Sequence, residues 1–210
     1  MTLDIWFDYL CPQSYLLHLS LIELKKEWKE PLEIKYRSYE MLPGLTPGSE
    51  HSLFDVISKH LLIEREEVES FFKSYPQIKD LKPYDVYDAH RMLHLAKSYD
   101  LEFAWVTRLL KDYYEQSRDI SHHDYLLEVA ESLGMNRARA IDVLTTDEYG
   151  NRVQSNRENA ILKGIHRIPH MRIDGKHPMQ GAHTKDQLMM ALTHAKYTHS
   201  KFTSCEGEEC

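Results

Sequence analysis

Residue types able to do covalent chemistry are scarce in this chain. Of 210 residues three are cysteine, Cys11, Cys205 and Cys210. Cys11 stands in the stretch Phe7-Asp8-Tyr9-Leu10-Cys11-Pro12-Gln13-Ser14-Tyr15, where an alternating pattern ends, a proline follows and an amphipathic run begins. A thiol at the first turn of a helix faces unpaired backbone N–H groups and the positive end of the helix dipole, and both favour the thiolate. Pro12 suits that place because its fixed φ fits the first helical turn and its missing N–H is not needed there. The expectation is a reactive thiol of depressed pKa, weighed against a buried structural cysteine. Ser14 lies one turn further on, close enough for its hydroxyl to donate to a thiolate, yet it cannot form a disulfide.

The other two cysteines are spaced CxxxxC in the last six residues, among Glu206, Glu208 and Glu209. Those carboxylates raise nearby thiol pKa values and make poor attackers of both sulfurs. A chance pair in a solvated tail and half of a metal site lacking partners are the plain alternatives. Thirteen histidines invite a metal reading that the spacing does not sustain. His90 and His94 share one helical face, but no Glu follows the first as in a zincin helix, so packing is expected of them and no metal is assigned. His122 and His123 point different ways at a helix start. His166 and His170 bracket the pair Ile168-Pro169.

Elements must position Cys11. Leu3, Ile5 and Phe7 alternate with mixed residues, which predicts a strand, and a helix is expected from Pro12 to about Glu30, ended by Pro31. Leu32, Ile34 and Tyr36 alternate with Glu33, Lys35 and Arg37, giving a second strand and a right-handed βαβ unit. After the loop Met41 to Gly48, with its two Pro-Gly punctuations, the pattern turns helical: a run to Phe72, then Asp88 to Tyr99, Glu102 to Gln116, His122 to Leu133, Asn136 to Leu144 and Glu148 to Lys163. Ser121 and Asn136 read as N-caps, Gly134 and Gly164 as stops. Strand pattern resumes at Ile168 to Ile173, turns at Asp174-Gly175-Lys176 and returns over His177 to Gly181. Thr184 to Gln187 fits a capping box opening a last helix through about Ala195. The result is an α/β fold whose βαβ and ββα halves are interrupted by an all-helical insertion: residues 1–48 and 164–197 form the sheet domain, 49–163 the insertion, and 198–210 a mobile tail.

Composition limits the rest. With 42% hydrophobic and 28% charged residues the chain is globular, and its net charge of −7 with interleaved cations argues against nucleic acid. No apolar run is long enough to cross a bilayer, no secretory signal is visible at the start, and three cysteines make no disulfide framework, so a cytoplasmic protein without a membrane partner is expected. Trp105, Tyr113 and Tyr114 lie on the helical block as expected core. Composition says nothing of the oligomeric state.

From the Phe7–Pro12 segment to Ala182 the chain resembles the thioredoxin superfamily, more narrowly its DsbA-like branch and the FrnE-type proteins within it. The stretches that carry the likeness are Asp88-Ala89-His90-Arg91 with Leu93-His94-Leu95-Ala96, Gly164 to Pro169, Ile173-Asp174-Gly175-Lys176 and Gly181-Ala182. The resemblance implies a thioredoxin fold and thiol-disulfide exchange, with Cys11 as nucleophile, Pro169 as the cis-proline and Ile168 as the residue whose backbone faces the thiol. It also implies a substrate site along Pro12, Gln13, Ile168, Pro169 and His170, with His170 near enough to tune Cys11 or else an exposed strand residue. Ser14 stands where such proteins carry a second, resolving cysteine. Some FrnE-type proteins have a similarly spaced C-terminal pair, so Cys205 and Cys210 are candidates for an auxiliary redox couple.

The segment Phe7-Asp8 through Pro12-Gln13-Ser14-Tyr15 also resembles kappa-class glutathione transferases and 2-hydroxychromene-2-carboxylate isomerases, which typically carry serine at position 11. Three functions follow. The first is a single-cysteine oxidoreductase, of reductase or isomerase type, whose mixed disulfide with a protein or low-molecular-weight partner is resolved by the tail, by the substrate's own second thiol, or by glutathione or bacillithiol as co-substrate. No tightly bound cofactor is expected. The second is a glutathione-dependent transferase or isomerase, and the third a non-catalytic adaptor in which Cys11 keeps an ordinary thiol pKa.

Overall fold

A computed structural model describes the backbone of residues 1–45 and 52–204. Cys205 and Cys210 lie outside the described residues, as does part of the loop expected between positions 41 and 48. Strands β1 (Thr2–Phe7), β2 (Glu33–Ser38), β3 (His170–Ile173) and β4 (His177–Gln180) form one sheet in the order β2-β1-β3-β4. β1 runs parallel to β2 and antiparallel to β3, and β3 pairs antiparallel with β4. Helix α1 (Pro12–Glu27) makes the first crossover. Among the described residues seven helices follow before β3: α2 (Leu53–Leu61), α3 (Arg65–Phe72), α4 (Tyr87–Lys97), α5 (Glu102–Gln116), α6 (His123–Ser132), α7 (Arg137–Thr145) and α8 (Gly150–Leu162). Helix α9 (Lys185–Ser204) ends the described chain.

Period-two alternation divides the sheet. Leu3, Ile5 and Phe7 enter a core shared with Leu17, Leu21 and Leu24 of α1 and with Trp105, Val106 and Leu109 of α5. Trp6 points the other way, into a smaller cluster with Tyr39, Ala160 and Ile165. At the β3–β4 turn Asp174 and Gly175 both have positive φ, 47° and 71°, the left-handed pair that a tight hairpin needs.

Several boundaries differ from the sequence pattern. α1 stops at Glu27, where Trp28 turns extended, before Pro31 is reached. The run expected to continue to Phe72 breaks at Leu62, left-handed at φ 56°, and restarts as α3. His122 rather than Ser121 caps α6, because the Ser121 hydroxyl donates to Asp119. α9 continues to Ser204, so 198–204 is helix where a tail was expected; no Gly or Pro interrupts it, and the Thr198 hydroxyl donates to the Ala195 carbonyl at 2.9 Å.

A buried histidine joins α1, β2 and α5. The Thr107 hydroxyl donates to the Phe103 carbonyl at 2.7 Å, so it accepts from His18 Nε2–H at 2.7 Å. That fixes the tautomer, and His18 Nδ1 accepts from the Tyr36 hydroxyl at 2.6 Å. Burial, helped by Lys111 and Lys25, pushes the His18 pKa down to about 3, and burial does the same for His94. A histidine whose folded pKa is lowered adds stability above its unfolded pKa, and loses that stability as pH falls through the folded value. Thermal unfolding should therefore show Tm falling as pH drops from about 6.5 towards 3. His18→Gln, though less stable at pH 7, should lose less over the same interval.

Candidate active site

Cys11 is the N-cap of α1, extended at φ −88° and ψ 109°, with Pro12 in the first turn. Its carbonyl accepts from the backbone N–H groups of Ser14 and Tyr15 at 2.9 and 3.2 Å, which starts the helix. Its thiol donates to the Ile168 carbonyl at 3.6 Å. The Ile168–Pro169 peptide bond is cis. The Pro169 carbonyl in turn accepts from Gly181 N–H at 2.8 Å. A Cβ at Gly181 would lie 3.3 Å from Gln13 Oε1, so the glycine lets the end of β4 close against α1. Cys11, Pro12, Gln13, Ser14, Ile168 and Pro169 are thus gathered at one end of the sheet, where β1 finishes and β3 begins.

The thiol does not have the depressed pKa expected of a helix start. Cys11 is 6% exposed, and burial pushes its pKa up to about 11. The Ser14 hydroxyl and the backbone of Ser14 pull the other way, the Asp8 carboxylate adds to the rise, and the Gln13 backbone lowers it slightly. Ser14 Oγ is itself buried with no hydrogen-bond partner in the resting geometry. It is therefore free to donate once the sulfur carries charge.

A cavity of about 380 Å³ opens over Cys11, floored by Pro12, Gln13 and Ile168. Its far wall is apolar and comes from the interrupted helix: Ile57 and Leu61 of α2, Ile63 between the helices, and Val68, Phe71 and Phe72 of α3. His60, Glu67, His166 and Arg167 supply its polar edge. Phe71, at 52% exposure, leaves an apolar lip in solvent.

His170 is not brought to the thiol. Strand alternation puts it on the Trp6 face, where its ring meets Trp6 edge-on at 5.8 Å, and it does not line the cavity. His166 and Arg167 line it instead. Sequence reasoning also passed over Asp8, fully buried beside Cys11, whose carboxylate accepts from Leu10 N–H at 3.1 Å and Met41 N–H at 2.5 Å and lies 3.5 Å from His90. Its place three residues before the cysteine at a strand end was the available signal. The α2–α3 wall had none beyond apolar spacing. Trp105, Tyr113 and Tyr114 are core as expected, and Trp105 Nε1–H donates to the Tyr9 hydroxyl at 3.1 Å.

Comparison with known proteins identifies the family and the fold. Residues 2–193 match the family described as the DSBA-like thioredoxin domain. A probable DsbA oxidoreductase from Streptomyces coelicolor superposes with a TM-score of 0.79 at 21% identity, covering 93% of this chain and 89% of that one. A 2-hydroxychromene-2-carboxylate isomerase superposes at 0.69 with 17% identity over 98% and 99% of the two chains. The cytosolic disulfide reductase DsbM from Pseudomonas aeruginosa, in a structure with GSH, does so at 0.65 with 16% identity over 93% and 100%. No curated protein matches by sequence.

With Cys205 and Cys210 replaced by serine, alkylation of Cys11 should keep accelerating through pH 9, with a midpoint near about 11. Asp8→Asn removes an anion that raises the thiol pKa and should move the midpoint down. A wild-type plateau at neutral pH would contradict the burial argument.

Proposed function

The chain belongs to the DSBA-like thioredoxin domain family, and from that premise we propose that it is a thiol-disulfide oxidoreductase working through the single active-site thiol of Cys11. The observation that carries the reading is the Cys11 sulfur at the helix N-cap, directed at the Ile168 carbonyl on the floor of a cavity with an apolar wall. In the reaction a substrate S–S bond breaks and a Cys11 S–S bond forms. The departing sulfur leaves as thiolate and takes up the proton that Cys11 gave up. Charge on the attacking Cys11 sulfur is met by the Ser14 hydroxyl and by the backbone of Ser14 and Gln13. Ser14 cannot attack the mixed disulfide, so a second thiol finishes the turnover. Glutathione or bacillithiol, a second thiol of the substrate, and the tail pair Cys205 and Cys210 are the candidates.

The sulfur's weak acidity favours one direction. Stabilising the thiolate makes a thioredoxin-fold site oxidising, because it favours the reduced form. Burial here destabilises the thiolate, which supports reductase or isomerase work over oxidation. Among the described residues no helix is long and apolar enough to cross a membrane. We place the activity in the cytoplasm, where reduced small thiols are abundant and disulfide frameworks are rare.

A glutathione-dependent isomerase or transferase is the second reading, favoured by the unpartnered Ser14 hydroxyl beside a thiol that is mostly protonated at neutral pH. One experiment separates the two. Reduced protein mixed with oxidised glutathione should give a glutathione adduct on Cys11 by mass spectrometry, absent in Cys11→Ser. Ser14→Cys supplies a resolving thiol, and the adduct should then fail to accumulate. No adduct in wild type across neutral pH, with glutathione-dependent activity that survives Cys11→Ser, would establish the second reading instead.

A further inference from the structure

The sheet face turned away from the main core carries an unexpected collection of cations. Trp6 is 6% exposed, and Lys163 Nζ and Arg172 Cζ stand 5.8 and 5.9 Å from its ring centroid. A separate cavity of about 260 Å³ opens here, lined by Trp6, Arg37, Lys163, Arg172 and Asn159, with Asp4 its one carboxylate. That carboxylate is already engaged, since Arg37 donates to Asp4 Oδ1 from Nε at 2.9 Å and from Nη2 at 2.7 Å. Among the described residues neither Lys163 nor Arg172 has an acidic partner. The guanidinium of Arg172 reaches only the Lys163 carbonyl, at 3.5 Å, and its Nε is buried with no acceptor. Nε2 of His170, which packs on the same indole, is buried without a partner too.

Two explanations confined to the fold fall short. The aromatic face attracts both cations, but it accepts no hydrogen bond in the guanidinium plane. The C-terminal end of α8 carries about half a negative charge, which offsets part of one cation and leaves the other uncompensated. What remains is a recess with a net positive charge of more than one, a forked donor set from Arg172, an ammonium at the rim and the side-chain amide of Asn159. Forked guanidinium donors match tetrahedral oxyanions, and an adjacent ammonium adds charge without demanding geometry.

We propose that this cavity is a second ligand site, distinct from the Cys11 cavity, that binds a compact oxyanion of the phosphate class, either inorganic phosphate or the phosphate group of a small ester. Arg172 and Lys163 hold the anion, and Arg37 stays committed to Asp4. The site faces α8 rather than α2 and α3, so it lies on the opposite side of the sheet from the main core and does not depend on thiol chemistry.

The test is nuclear magnetic resonance of the full chain at constant ionic strength, with inorganic phosphate and glycerol 3-phosphate as separate probes and chloride as the control. The Trp6 indole N–H and the backbone amides of Lys163 and Arg172 should shift saturably with at least one of the phosphate probes. Arg172→Gln should weaken binding by about tenfold or more, since it removes charge-assisted hydrogen bonds. Lys163→Gln changes an exposed side chain and should weaken binding with the fold intact. Cys11→Ala should leave binding unchanged. A response to the ester alone identifies a phosphorylated small molecule as the ligand, and a response to both identifies the phosphate group itself. Shifts equal to those with chloride, binding indifferent to both substitutions, or binding lost in Cys11→Ala would each overturn the proposal.

Discussion

The hydrogen bond from the Cys11 thiol to the Ile168 carbonyl joins the start of α1 to the turn before β3 across 157 residues of sequence, and closing that seam takes a sulfur out of water. Two effects of opposite sign then compete. A helix N-terminus stabilises an adjacent anion by about 0.3–1 kcal/mol at an exposed end. The upward shift of the thiol from 9.0 to about 11 corresponds to roughly 3 kcal/mol against the thiolate, so burial decides the resting state. That figure is what remains after the Ser14 hydroxyl and the backbone of Ser14 and Gln13 have offset part of the cost of burial. A thiol held this way is a weak nucleophile at rest, and its disulfide is correspondingly hard to displace.

The same burial explains which parts of the site were legible in the sequence. Cys11 and Pro12 were legible because cap and first-turn preferences are local, and the two strands of the βαβ unit because period-two alternation survives in Leu3, Ile5, Phe7 and in Ile34, Tyr36. The capping box at Thr184 is likewise a local pattern, with Gln187 N–H donating to the Thr184 hydroxyl and Gln187 Oε1 accepting from Thr184 N–H. The acidity of Cys11 was not legible, because it depends on how completely Ile168 and the insertion cover the sulfur. The break at Leu62 was hidden for a related reason. The Ser58 hydroxyl donates to the Ile63 carbonyl and Arg65 reaches Asp55, so tertiary and short-range polar contacts override an unbroken helical pattern. That break turns one long helix into the two short ones that form the wall opposite Cys11.

His170 shows the limit of reasoning by proximity in sequence. It follows Pro169 directly, yet β3 pairs it with Trp6, and the pleat sends its ring to the face opposite Ile5 and Phe7. One residue of strand register thus separates the Trp6 face from the main core, where Met171 pairs with Ile5 and is fully buried. Arg167 and His166 precede the strand, escape its alternation, and reach the cavity instead.

Ile168 belongs to both sides. Its carbonyl takes the Cys11 thiol, while its side chain packs against the Leu3–Phe7 core and also against the cluster of Trp6, Tyr39, Ala160 and Ile165. A ligand on the Trp6 face could act on the sulfur through space or through Ile168. Through space, its charge is screened by solvent with a Debye length of about 8–10 Å at moderate salt. Through contact, it must displace Ile168, and a displacement that loosens the carbonyl from the thiol also exposes the sulfur to water. Exposure lowers the thiol pKa towards the ordinary cysteine range and strengthens the nucleophile.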